Sequence, residues 1–206
     1  EDVRSCADRV DVFCQAGQIS IPMQASDLMA YLEPMVHEVT TARAGHLFHP
    51  KIWFLRYTAP DLEDEYRLLC SSRNLTGDRS WDTIVRLDAR RAGGRQAANR
   101  PLASLISHLP ERAVHPLPDA RRARIEELAE DARHLEWEFP DDVNQIFMHA
   151  FGVPGERPTA NFSGYRHLIV APFCNDDGIA HVAPAGSRAT LVSRTDDLDR
   201  LDPATI

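Results

Sequence analysis

Lysine is nearly absent: one residue, Lys51, stands among 23 basic side chains in 206 residues. Any motif that needs a lysine therefore occurs once at most. Long apolar runs are missing too. Nothing approaches the roughly 18 uninterrupted apolar residues of a membrane span, so none is expected. No helical stretch combines an apolar face with a basic one, which argues against a membrane-surface helix. The opening stretch EDVRSCADRV is charged, without the apolar core of a signal peptide and without an initiator Met. It is expected to be a trimmed piece or fragment. The four cysteines, Cys6, Cys14, Cys70 and Cys174, are widely spaced, and no CxxC or HxxxH pattern occurs. A zinc site is thus not expected. Cys14, Cys70 and Cys174 each lie in an apolar run and read as buried free thiols in a reducing, cytoplasmic setting. The net charge of −8 argues against a broad nucleic-acid surface, though not against a local basic groove. The arginine clusters at Arg86 to Arg95 and Arg121 to Arg124 read as solvated surface.

What is present is ordinary globular composition, 43% hydrophobic and 26% charged. RVDVFCQ (9–15) reads as a buried strand bounded by Gly17. Ser26 is placed to cap a helix through DLMAYLE, which Pro34 ends or kinks. MVHEVT (35–40) and LFHPKIWFLRY (47–57) look like a hairpin across ARAG. YRLLCSS (66–72) and WDTIVRLDA (81–89) follow as strands, and RRAGGRQAANR as a surface loop. PLASLISHL and DARRARIEELAEDARHLEW read as helices. Asp119 is the expected N-cap of the second, with an inward stripe of Ile125, Leu128, Ala132 and Leu135. Its arginines precede its glutamates, against the helix dipole, so packing is expected to hold it. GVPGERPTANFSGY (152–165) reads as a boundary, and RHLIVAPFCNDDG as another strand. Phe13-Cys14 and Phe173-Cys174 stand 160 positions apart, each near a Gly and an expected helix, which suggests a weak internal repeat.

One constellation carries chemistry. If LFHPKIWFLRY is a strand, His49, Lys51, Trp53 and Leu55 share a face. The His and Lys then project side by side, about 7 Å apart. That spacing suits two groups reaching one phosphate: an imidazole that attacks phosphorus and an ammonium that holds a non-bridging oxygen. Pro50 removes a ladder donor between them and implies an edge or bulge. SSRNLT (71–76) ends the next strand. Asn74 offers an amide donor, and Ser71 and Ser72 form a small polar loop that suits an imidazole or a phosphate. The plainer reading of that loop is a strand-to-turn cap. Trp53 and Trp81 read first as core residues, and otherwise as platforms on which bases stack.

FHPKIWFLRY followed by YRLLCSSRNLTGDRSWDTIVRL resembles one half of a phospholipase D superfamily enzyme, with His49, Lys51, Ser72 and Asn74 at the motif positions. Ser71 stands for the motif's Gly. Arg56 stands where many members carry an Asp five residues after the Lys, a departure shared with the tyrosyl-DNA phosphodiesterase branch and several nuclease- or helicase-associated branches. LIVAPFCNDDGI with ATLVSRTDDLDRL is similar to the start of the family's second repeat. The resemblance implies an α/β fold, a mixed β-sheet flanked by helices on both faces. Residues 1–150 would be the motif-bearing repeat, 151–164 a linker and 165–206 the start of a second, truncated repeat. It implies a metal-independent phosphodiesterase, without cofactors, in which His49 becomes a phosphohistidine and a second His protonates the leaving group. His49, Lys51 and Asn74 would be catalytic, and Ser72 and Ser71 would bind or orient the phosphate.

None of the other eight histidines is followed two places later by Lys. The second half-site is therefore expected from downstream sequence or from a homodimer that pairs two copies of His49. The missing Asp points to nucleic acid as substrate. The competing expectation is an inactive module that binds DNA or a helicase or restriction partner.

Overall fold

The computed structural model describes residues 2–19, 29–41, 46–74, 79–156 and 162–205. They belong to two compact units, Glu1–Pro158 and Thr159–Ile206. The first holds α1 (Asp2–Cys6), β1 (Val12–Gln15), α2 (Met29–Leu32), β2 (Val36–Val39), β3 (Ile52–Tyr57), β4 (Glu65–Ser71), β5 (Ile84–Arg91), α3 (Arg100–Arg112), α4 (Asp119–Ala132) and β6 (Leu135–Glu138). The second holds β7 (Arg166–Val170), α5 (Asp176–Val182), β8 (Arg188–Val192) and α6 (Thr195–Leu198). No helix among the described residues is long and apolar enough to cross a membrane.

The chain is α/β, but its described strands do not merge into one mixed sheet. β3, β4, β5 and β6 form an antiparallel sheet in that order, while β1–β2 and β7–β8 are separate parallel pairs. β3, IWFLRY, is rich in the β-branched and aromatic residues that favour strands, and β4, EYRLLCS, alternates apolar and polar positions beside it. Alternation along them sends Ile52, Phe54, Tyr66 and Leu68 to one face, where Leu87 joins them. There Leu102, Ala103 and Ile106 of α3 and Ile125, Ala129 and Ala132 of α4 complete the core. Helices on both faces were expected. Both long helices instead pack on this one face, and the other leaves Trp53, Tyr57 and Ile84 exposed.

The expected hairpin of 35–40 with 47–57 does not form. β2 pairs in parallel with β1, and β3 pairs with β4. The reason is hydrogen bonding on both edges of β2. β1 takes one edge. On the other, Val114 N donates to Glu38 O at 2.8 Å and Thr40 N to Arg112 O at 3.0 Å. No edge of β2 is left for β3. The ARAG turn and the Ser26 cap lie outside the described residues.

The second long helix stops at Ala132, not at residue 137. Arg133 N and His134 N bond back to Glu130 O and Asp131 O, and Leu135–Glu138 then pairs with β5 as β6. Leu135 is buried as expected, but from a strand. Asp119 is the first helical residue, not the cap, and Pro118 holds the cap position without a side-chain bond. Asp119 there favours the positive end of the dipole.

In the second unit, the Asn175 side chain caps α5 by accepting from Gly178 N at 2.9 Å. Both units thus contain a parallel strand pair with a helix between its strands. The dipeptides that suggested a repeat are not equivalent, because Phe13-Cys14 lies within β1 and Phe173-Cys174 lies beyond β7. All four cysteines are free, but the burial expected of three of them is not reached: Cys14 and Cys174 are half-buried and Cys70 is exposed.

Candidate functional site at the end of strands β3 and β4

The β3–β4 register extends one residue past Ile52↔Cys70, since Ser71 N donates to Lys51 O at 2.9 Å. This sets Lys51 opposite Ser71 at one end of the sheet, with Ser72 next along the chain. His49 does not lie on the strand. Pro50 has no N–H to give to a ladder, so β3 begins at Ile52 and His49 sits exposed in the segment ahead of it. Lys51 reaches back to it, its Nζ donating to the His49 carbonyl oxygen at 3.3 Å. Burial pushes the Lys51 ammonium below the usual lysine range, and the neighbouring Cys70 side chain works the other way. Ahead of His49, Phe48 N donates to Gln15 Oε1 at 2.9 Å, which ties this segment to the end of β1.

Ser72 is committed elsewhere. Its hydroxyl donates to Asp82 Oδ1 at 2.5 Å, and its backbone N–H donates to the same oxygen at 3.1 Å. The hydroxyl oxygen also accepts from Thr83 N at 3.1 Å. The Ser72 side chain therefore fastens the loop between β4 and β5. The hydrogen bond from Ser72 also holds the Asp82 carboxyl below its ordinary value. Asn74 is exposed at the last described position before 75–78. The structure thus brings Lys51, Ser71 and Ser72 together and sets His49 beside Lys51.

Asp82 and Gln15 are the residues that sequence reasoning missed. No local spacing links Ser72 to Asp82. The Ser71↔Ile84 register makes that link. Arg56, at the position of the absent motif Asp, is remote from the site. It lies five residues along β3 from Lys51, about 16 Å at the usual rise. Its guanidinium donates to Glu127 Oε1 at 2.6 Å and Asp131 Oδ2 at 2.9 Å.

The two site-end tryptophans are not core residues. Trp53 is 45% exposed and Trp81, directly before Asp82, is 97% exposed. Trp137 is the one that packs inward, its Nε1 donating to Asn99 Oδ1 at 2.8 Å. The arginine clusters are also not simply solvated. Arg86 pairs with Asp88, Arg91 with Asp131 and Arg95 with Glu130, while Arg121 is buried. Among the described residues, no group of three or more His, Cys, Asp or Glu side chains is placed to hold a metal ion. No protein-family model, curated protein or solved structure matches the chain.

Proposed function

We propose that the first unit presents half of a metal-independent phosphodiesterase site for nucleic acid, in a phospholipase D-like fold. The observation that carries this reading is the pairing of Lys51 with Ser71 at the sheet end, with the exposed His49 two residues away. The His49 imidazole attacks phosphorus, and a P–N bond replaces the bond to the leaving alkoxide. Lys51, the Asn74 amide and the Ser71 hydroxyl offset the charge on the non-bridging oxygens. A second histidine gives its proton to the departing oxygen and then takes one from the water that releases the phosphoryl group. That histidine comes from a second half-site, downstream in sequence or in a second copy of the chain. The setting is cytoplasmic and no cofactor takes part.

A second reading is favoured by one feature. The Ser72 hydroxyl, which the motif would turn to the imidazole or the phosphate, is spent on Asp82 and Thr83. In this reading the unit is a non-catalytic module that binds DNA or a helicase or restriction partner. A fluorescent single-stranded oligonucleotide incubated in EDTA with the chain, its His49→Ala variant and the full-length gene product separates the two. Cleavage that disappears in His49→Ala supports the phosphodiesterase. Tight strand binding without cleavage by any of the three supports the module.

The exposed tryptophans give a second expectation. Trp81→Ala leaves the urea midpoint within about 0.5 kcal/mol of the parent, because the ring buries almost nothing. Strand affinity in an anisotropy titration falls by about 1–3 kcal/mol if a base stacks on it. Unchanged affinity removes Trp81 from the interface.

A further inference from the structure

An open cleft of about 410 Å³ lies beside the candidate site, within the size range, roughly 300–1,000 Å³, of small-molecule pockets. Its walls come from four places, of which Thr40 and Thr41, just after β2, are the first. Leu47 and Phe48 belong to the segment that carries His49. Leu105, His108, Leu109 and Arg112 line it from α3. Phe151, Gly152 and Val153 form a separate turn, in which Gly152 takes the left-handed φ of +78° that glycine tolerates best. The frame is tied down: Phe48 N is bonded to Gln15, and Thr40 N to Arg112 O. Leu47 and Phe151 remain 73% and 67% exposed in the cleft walls.

The lining specifies the ligand. An acyl chain needs apolar walls throughout, whereas this cleft adds His46, His108, Arg112 and the Thr40 hydroxyl to its apolar surfaces. His108 Nδ1 lies 3.1 Å from Glu111 Oε2, and Glu111 itself is not part of the cleft lining. No acidic side chain lines the cleft, so Arg112 is the fixed positive charge of its lining. Exposed apolar side chains on two walls suit a flat ring, and a guanidinium suits a phosphate.

We propose that this cleft binds a nucleotide, with the base held between Phe48 and Phe151 and its phosphate at Arg112. The proposal deepens the nucleic-acid reading above and rests on it for the ligand's class. It places one unpaired nucleotide next to the backbone segment that carries His49.

Isothermal titration of the full chain with a nucleoside 5′-monophosphate, the matching nucleoside and inorganic phosphate tests it. The nucleotide is expected to bind more tightly than either part. Phe151→Ala, which removes an exposed ring and leaves the core intact, is expected to weaken nucleotide and nucleoside alike, by about tenfold for a lost stack. Arg112→Gln is expected to weaken the nucleotide and spare the nucleoside. A nucleotide that binds no better than phosphate, or is indifferent to Phe151→Ala, overturns the proposal. A short single-stranded oligonucleotide that displaces the mononucleotide identifies a base within a strand as the ligand. Failure to displace it identifies the free nucleotide, and the proposal stands in both cases. His49 is not among the residues that line the cleft. Nucleotide binding without strand cleavage therefore removes the phosphodiesterase and leaves the cleft, and cleavage without nucleotide binding does the reverse.

Discussion

Asp131→Ala unfolds at a much lower urea concentration than the parent chain, with a loss of about 3–5 kcal/mol. The Asp131 carboxylate is 5% exposed and sits under the sheet on α4. It accepts from Arg56 Nη1 at 2.9 Å and Arg91 Nη1 at 2.7 Å, and from the Tyr66 hydroxyl. Burial, reinforced by the Asp131 bond, pushes the Tyr66 phenol up to about 12. Truncating the carboxylate leaves the Arg56 guanidinium with Glu127 alone and the phenol without its acceptor, and unpaired buried polar groups are costly. Removing the network's less exposed members is a different matter, because Arg91 and Glu127, 55% and 58% exposed, stay solvated. The triple change Arg56→Met, Asp131→Leu and Tyr66→Phe is therefore expected to recover most of the loss. A single-variant loss below about 1 kcal/mol would show that water compensates the network.

Arg121→Met is the second large effect, at about 3 kcal/mol or more. Arg121 donates to Ala7 O, Val10 O and Asp11 Oδ1, and so binds α4 to the segment between α1 and β1. Asp11 Oδ1 also lies 2.8 Å from His37 Nε2 on β2. Burial pushes the Asp11 carboxyl up, but the hydrogen bonds from His37 and Arg121, with the charges behind them, outweigh burial and hold it below 3.8. A carboxyl depressed in the fold stabilises it fully above the unfolded-state value, and this contribution fades as pH falls through the folded value. The parent chain is thus expected to lose this contribution below about pH 4. In Arg121→Met that acid-side loss shrinks, since much of the contribution is already gone at neutral pH. Urea midpoints taken from pH 7 to pH 3 on both chains measure the difference, and parallel curves would exclude Arg121 as the cause.

Both networks were invisible in the sequence for the same reason. Arg56 and Asp131 are 75 residues apart, and Arg121 and Asp11 are 110 apart. Arg56 drew notice only as the wrong residue at a motif position, and Arg121 only as part of a basic run. Packing turned the first into the centre of an ion-pair network and the second into a buried clamp.

The sequence by itself determined three of the four strands of the antiparallel sheet, β3, β4 and β5, and the presence of the two long helices. Alternation along IWFLRY, YRLLCS and IVRLDA, and the apolar stripe of Ile125, Leu128 and Ala132, are local signals that every packing of the chain must satisfy. It also marked candidates for chemistry, since His49 with Lys51, and Ser71 with Ser72, are close in the chain before any folding, although only the β3–β4 register brings the two pairs together. Tertiary structure alone decided the partners. β2 went to β1 because the end of α3 occupied its other edge. Leu135 left the helix because β5 offered it a ladder. Trp53 stayed in solvent because the helices covered the opposite face of the sheet, and Trp81 because it lies in the connection ahead of β5. Ser72 was taken by Asp82 because the β4–β5 register laid them side by side. Periodicity tells a strand which of its faces is apolar, but the choice of neighbour follows from which edges and faces remain open once the rest of the chain has packed.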